Sequence, residues 1–210
     1  IYIQDIASGA RDLVSSFRGI NGAPAFSPDG RKLALSLSRS GNPEIYVMDL
    51  GSKQLTQLTT HFGIDTEPTW SADGSKIYFT SDRGGRPQIY QVAAGGGSPS
   101  RVTFQGNYNA TASVSYDDKK IAVAQGAGNT YRIAIMDSSL GSPRWNTVST
   151  GNLDESPSFA PNAGMLLYAA REGGRGVLYA VSADGRVRQR LVLADGDVRE
   201  PAWSPYRIAR

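Results

Sequence analysis

A histidine is where hydrolysis, proton transfer or metal binding would first be sought, and this chain of 210 residues has one, His61. It lies in Thr60-His61-Phe62-Gly63-Ile64-Asp65. A Ser–His–Asp triad would need that imidazole beside an exposed nucleophile, and no Gly-x-Ser-x-Gly turn occurs. A zinc site needs several His or Cys ligands, and there is no cysteine to add to the one histidine. The glycine clusters Gly84-Gly85, Gly95-Gly96-Gly97 and Gly173-Gly174 lack the spacing of a dinucleotide or phosphate loop, and none opens a predicted helix. They read as hairpin tips, where glycine supplies positive φ at low cost. No catalytic constellation emerges, and no cofactor is called for.

The acids are more suggestive. Asp65 and Glu67, Asp154 and Glu155, and Asp195, Asp197 and Glu200 fall at recurring places. Carboxylates converging on one channel could hold a hard cation such as calcium. The favoured reading is a solvated acidic rim offset by nearby arginines, so no metal is assigned. Lys and Arg number 22 against 19 Asp and Glu, and the basic residues are scattered. A nucleic-acid groove would need them clustered, preferably among stacking aromatics, so no nucleic-acid partner is expected. No apolar run approaches the length of a membrane-spanning helix. The lack of cysteine rules out disulfides while remaining compatible with an oxidising compartment.

What must position these residues is a repeat. Pro24-Ala25-Phe26-Ser27-Pro28-Asp29-Gly30 returns as Pro68-Thr69-Trp70-Ser71-Ala72-Asp73-Gly74. Weaker copies begin at Ala112, Pro157 and Pro201. The bulky residues Phe26, Trp70, Val114, Phe159 and Trp203 are spaced by 44, 44, 45 and 44. A fixed period in the forties, with one aromatic and one turn per unit, is the signature of a β-propeller. Lys32-Leu33-Ala34-Leu35 and Glu44-Ile45-Tyr46-Val47-Met48-Asp49 also recur, and a weaker fourth run follows at Leu55-Thr56-Gln57-Leu58-Thr59. These runs are short and rich in β-branched and aromatic residues, and no long stretch shows an apolar period of 3.6. The fold class is therefore all-β, with four-stranded antiparallel blades.

Counting strands gives a single propeller domain over 1–210, with complete blades at 23–66, 67–110, 111–155 and 156–199. Residues 1–22 would supply the third and fourth strands of an earlier blade, and 200–210 a first strand. The expectation is a piece of a larger propeller that begins in mid-blade, so that any leader would already be lost. The alternative is a ring of about five blades in which 200–205 joins 1–15. The Asp-Gly turns are tight and share one face. The other face takes the loops 38–43, 81–87, 125–131 and 171–176 and the inter-blade loops 18–23, 60–67, 104–110, 150–156 and 194–200. These are expected to be longer, and binding residues tend to sit on such loops over a rigid scaffold.

The ordered set of motifs resembles the C-terminal propeller of the TolB family, periplasmic proteins of the Tol–Pal system. The resemblance rests on Asn21-Gly22-Ala23-Pro24-Ala25-Phe26, Ile45-Tyr46-Val47-Met48-Asp49-Leu50 and Thr66-Glu67-Pro68-Thr69-Trp70. It continues through Thr80-Ser81-Asp82-Arg83-Gly84-Gly85-Arg86-Pro87 and Leu153-Asp154-Glu155-Ser156-Pro157 to Pro201-Ala202-Trp203-Ser204-Pro205-Tyr206. It implies an N-terminal α/β domain followed by a six-bladed propeller, of which this chain would be a fragment. It also implies no catalysis and a periplasmic location. The implied partners are the peptidoglycan-associated lipoprotein Pal, other Tol proteins, and bacteriocin segments such as those of colicins. The implied role is outer-membrane integrity and constriction during division.

The family's Pal-contacting positions match Ile20, Ala23 and Thr66. Ala23 and Thr66 keep the family's residue, whereas Ile20 stands where the family has histidine. Asn21, His61, Arg83 and Tyr108, on the same set of loops, complete the candidate partner-binding face. Local structure offers a plainer account: Asn21 and Gly22 form turns, Ala23 before Pro24 is held extended, and Thr66 is ordinary loop. A second function remains open, the gating propeller of a prolyl-oligopeptidase-type serine peptidase. Such a protein would continue into a hydrolase domain, whereas this chain ends a few residues beyond Trp203.

Overall fold

A computed structural model describes residues 1–193 and 195–204. Each full repeat forms one antiparallel sheet of four strands, and no helix occurs among the described residues. Strands β1 (Tyr2–Gln4) and β2 (Arg11–Leu13) pair as a two-stranded sheet. The first blade is β3 (Asn21–Phe26), β4 (Lys32–Leu37), β5 (Glu44–Asp49) and β6 (Leu55–Gln57). The second is β7 (Asp65–Trp70), β8 (Lys76–Ser81), β9 (Gln88–Ala93) and β10 (Ser100–Arg101). The third is β11 (Tyr108–Val114), β12 (Lys120–Ala127), β13 (Thr130–Asp137) and β14 (Arg144–Thr147). The fourth is β15 (Asp154–Phe159), β16 (Met165–Glu172), β17 (Arg175–Ser182) and β18 (Arg188–Leu191). The first strands begin two or three residues ahead of 23, 67, 111 and 156, because the inter-blade loops are already extended where they turn inward.

Alternation along each strand builds the core between blades, since successive side chains leave opposite faces. Leu33, Leu35 and Leu37, with Tyr46 and Met48, pack toward Ile1, Ile3, Val14 and Phe17. The intervening Ala34, Ile45 and Val47 pack toward Trp70, Ile77, Phe79, Tyr90 and Val92 of the next blade. The same layering joins blades two and three through Ile89, Val123 and Ala134, and blades three and four through Ile133, Phe159 and Tyr168. The second and third strands are consequently buried on both faces and read as nearly continuous apolar runs.

Side-chain hydrogen bonds close the turns between first and second strands. Ser27 Oγ donates to Asp29 Oδ1 at 2.6 Å, and Arg31 N donates to the same oxygen at 3.0 Å. Ser71 and Asp73 repeat this at 2.6 Å, as do Ser115 and Asp117. The Ser71 hydroxyl, followed by Ser75, holds the Asp73 carboxyl down to about 2. Gly30 and Gly74 have φ of 69° and 72°, and in the weaker copies Asp118 and Ala163 take the left-handed position at 56° and 55°. The weaker copies in blades three and four thus change residue types but keep the backbone.

Two of the expected long loops are tight. In blades three and four the ladder runs on to Ala127↔Thr130 and Glu172↔Arg175, leaving two-residue turns at 128–129 and 173–174. Gly128 (φ 62°), Gly173 (φ 55°) and Gly174 (φ 82°) permit the twist such hairpins require. Toward the end of the chain, Trp203 N donates to Ser158 Oγ at 3.0 Å, as Phe159 N donates to Ser113 Oγ at 3.1 Å one blade earlier. Residues 201–204 therefore follow the first-strand position but form no strand, and 205–210 lie outside the described residues. No pairing joins 195–204 to β1 or β2 among the described residues, so the five-bladed closure is not seen.

Candidate functional site

Every first strand carries a bulge at the same point. The register shifts between Gly22 and Ala25, Thr66 and Thr69, Ala110 and Ser113, and Glu155 and Ser158. One residue in each takes a left-handed conformation: Ala23 (φ 47°), Glu67 (φ 54°), Thr111 (φ 50°) and Ser156 (φ 54°), with Glu200 (φ 47°) in the fifth copy. This corrects the expectation that Ala23 is held extended by Pro24. A bulge re-aims side chains next to a functional cleft, and here the five residues and those following them line a channel-side cleft of about 440 Å³.

Three predicted residues gather at the boundary of blades one and two. Ser36, which pairs with Gly22 in the β3–β4 ladder, accepts a hydrogen bond from Thr66 Oγ1 at 3.3 Å and one from Glu67 N at 3.1 Å. Ile20 is pinned by its backbone, with Ile20 N donating to Ser38 Oγ at 2.7 Å and Ser38 N donating to Ile20 O at 3.1 Å. Its side chain is 56% exposed. Ala23 and Thr66 are half-buried, and the Thr66 hydroxyl is engaged with Ser36. Asn21 is occupied by its own loop: Oδ1 accepts from Ser15 Oγ at 2.6 Å and Phe17 N at 2.9 Å, and Nδ2 donates to Phe17 O at 2.6 Å.

The neighbouring loop is braced from below. His61 N donates to Glu44 Oε1 at 2.6 Å, and Thr59 Oγ1 donates to Glu44 Oε2 at 2.7 Å. His61 Nδ1 accepts from Gly63 N at 2.9 Å, and its ring lies 4.1 Å from that of the exposed Phe62. Arg83 points inward. It pairs with the buried Asp65 at 2.5 Å, donates to Ser81 Oγ at 2.9 Å, and sits over the rings of Tyr90 and Phe79 at 5.1 and 5.5 Å. Its charge holds the loop instead of facing solvent.

Tyr108 lies one blade further on. Tyr108 and Tyr131 both pair with Gly126, and their rings meet edge to face at 5.1 Å and 75°. Burial, then Glu67, Tyr131 and Glu155, push the Tyr108 hydroxyl up. Glu44, Gly126 and Tyr131 were not singled out in the sequence. Glu44 and Gln88 precede the same strand apolar run at corresponding places, and that recurrence was the available signal.

The acids do not act as one group. Asp65 has Arg83, Asp154 accepts from Gly151 N at 2.9 Å, and Asp197 pairs with Arg199 at 3.1 Å. Among the described residues no three His, Cys, Asp or Glu side chains are disposed to hold a metal ion.

Four-stranded blades stacked about a channel, with a loop face above it, define a β-propeller protein. The family model described as the TolB beta propeller domain matches residues 1–207, and the chain belongs to that family. It is 86% identical over 209 residues to the Tol-Pal system protein TolB of Xanthomonas campestris pv. campestris (strain B100), covering 100% of this chain and 48% of that protein. The chain thus spans about half the length of the curated relative it matches. The crystal structure of TolB from Acinetobacter baumannii superposes with a TM-score of 0.89 at 48% identity, over 98% of this chain and 51% of that one. A puromycin-hydrolysing peptidase of Mycobacterium tuberculosis superposes at 0.64 with 16% identity, over 89% of this chain and 33% of that one, which is a likeness of fold alone.

Proposed function

We propose that this chain is the partner-binding propeller portion of a Tol–Pal system protein: a non-catalytic, periplasmic scaffold that docks the lipoprotein Pal on its inter-blade loop face. By that contact it supports outer-membrane integrity and constriction during division. Other Tol proteins and bacteriocin segments such as those of colicins are further partners of the same scaffold. Among the described residues no helix is long and apolar enough to cross a membrane.

The observation that carries this reading is the grouping of Ile20, Ala23 and Thr66 around one blade boundary, in a chain 86% identical to a Tol-Pal system protein. Isoleucine at position 20 offers the partner an apolar group where the family's histidine would offer a hydrogen bond. Asn21 and Arg83 serve the face by fixing its loops, and His61 and Tyr108 flank it.

Retention of Pal from a bacterial envelope extract on the immobilised protein tests the partner. Thr66→Arg tests the face. It puts a long charged chain where a half-buried hydroxyl sits, and is expected to abolish Pal binding while the circular dichroism spectrum stays that of the parent. Undiminished affinity by calorimetry would move the contact to another face.

A further inference from the structure

Phe62, in the loop that enters blade two, is 89% exposed, the most exposed aromatic ring among the described residues. Its loop is held from both sides. From blade one, Asn42 Nδ2 donates to His61 O at 3.0 Å and also to Gly63 O, and Glu44 Oε1 accepts from His61 N. From blade two, Asp82 Oδ1 accepts from Ile64 N at 2.7 Å. Gly63 N turns back to His61 Nδ1, so the backbone around the ring is bonded at 61, 63 and 64. Gly63 lets the loop sit down on its support: a Cβ there would lie 2.6 Å from Asp82 Oδ1 and 3.1 Å from Arg83 N.

An isolated apolar side chain on a surface is ordinary. Phe62 is not isolated. Ile64, two residues on, is 47% exposed. The β4–β5 loop that grips the Phe62 segment through Asn42 also pins Ile20 through Ser38. Three exposed apolar side chains therefore share one support. Holding a ring out in solvent adds nothing to the fold, whereas an anchor fixed before contact lowers the ordering cost of binding. Aromatic residues are enriched in the cores of protein interfaces for the area they bury there.

We propose that Phe62 is the anchor of the Pal contact: its ring enters an apolar pocket on the globular part of the lipoprotein, and Ile20 and Ile64 extend the same apolar patch. Asn42 is the positioning residue that holds the anchor. That the partner is Pal rests on the scaffold reading above; that this loop is a rigid apolar anchor rests on its exposure and its hydrogen bonds.

Calorimetry with Pal tests this on the parent chain, Phe62→Ala, Phe62→Leu, Asn42→Ala and the Asn42→Ala/Phe62→Ala double variant. Phe62→Ala is expected to raise Kd at least about tenfold and Phe62→Leu by less, both at the parent's melting temperature because the ring is exposed. Asn42→Ala is expected to raise Kd in the parent but not further in the Phe62→Ala background, since it acts through the ring. An effect of equal size in both backgrounds would overturn its positioning role. Unchanged affinity in Phe62→Ala while Thr66→Arg abolishes binding would overturn the anchor alone. Weakened binding in Phe62→Ala with Thr66→Arg unchanged keeps the anchor and moves the contact off Thr66. A parent chain that binds no Pal overturns both readings. If Phe62→Ala keeps its Pal affinity but turns a self-associating chain monomeric in sedimentation, the ring packs on a second copy and the proposal falls.

Discussion

Glu44 Oε1 accepts a hydrogen bond from the main-chain nitrogen of His61 at 2.6 Å, tying the third strand of blade one to the loop that enters blade two. One blade on, Gln88 Oε1 does the same work, accepting from Thr103 Oγ1 at 2.7 Å and Asn109 Nδ2 at 2.9 Å. The first junction holds an acid facing the Asp65 carboxyl, and the second a neutral amide facing another amide. Burial raises the Glu44 carboxyl above its ordinary range, against the His61 and Thr59 hydrogen bonds that lower it, and Asp65 adds to the rise.

Replacing Glu44 by Gln should copy the second junction into the first. A carboxyl raised on folding contributes stability that is fully present below its unfolded value and is lost as pH rises through its folded value. The parent should therefore lose stability relative to Glu44→Gln as the medium goes from about pH 4 to pH 7. Thermal unfolding of both proteins across that range measures the difference. A constant gap between the two curves would show that Glu44 titrates as it does in the unfolded chain.

Among the described residues, Arg83 is the one cation paired with the buried Asp65. Arg83→Ala leaves that carboxylate without compensation and is expected to cost about 3–5 kcal/mol in urea unfolding. Adding Asp65→Asn removes the stranded charge and should recover part of the loss. If Arg83→Ala instead weakens Pal binding at unchanged stability, the guanidinium acts on the partner and not on the loop.

Trp70 and Phe26 occupy the same motif position and should respond in opposite ways. Trp70 is 8% exposed, packs in the layer between blades one and two, and donates from Nε1 to Ala25 O at 2.9 Å. Phe26, whose blade neighbours the two-stranded β1–β2 sheet, is 54% exposed. Trp70→Ala is expected to cost about 3–5 kcal/mol, and Phe26→Ala less than about 1 kcal/mol. Chemical denaturation midpoints, with unchanged slopes, give both values.

That contrast shows what the sequence could and could not convey. The period, the second and third strands and the Asp-Gly turns were legible because each follows from local residue types: apolar runs, glycine, and a serine that caps its own turn. The burial of Phe26 or Trp70 was not, because it is set by whichever strands stand in the preceding blade. The left-handed Ala23 was misread because a rule about proline neighbours was applied without the bulge that overrides it. The turn at 128–129 was read as a loop because Gly126, Gly128 and Asn129 resemble loop composition, whereas the ladder runs on through Ala127. Of the candidate site, the loops were legible and the direction of Arg83 was not, since its pairing with Asp65 joins the loop after β8 to the start of β7.

Gly126 sets the spacing of the Tyr108–Tyr131 pair. A Cβ there would lie 3.0 Å from Tyr108 Cβ, 3.0 Å from Tyr131 Cε1 and 3.1 Å from Tyr108 Cδ1. Tyr131 can swing its ring away, but Tyr108 Cβ is fixed to a strand backbone that pairs directly with Gly126. Gly126→Ala must therefore push β11 and β12 apart or rotate both rings, at a cost typical of overpacking, about 1–3 kcal/mol. The near-ultraviolet dichroism of the tyrosine pair should fall. Blades one and four should keep their amide chemical shifts. An unchanged near-ultraviolet spectrum would show that the rings keep their mutual geometry and that the strands absorb the added methyl without moving them.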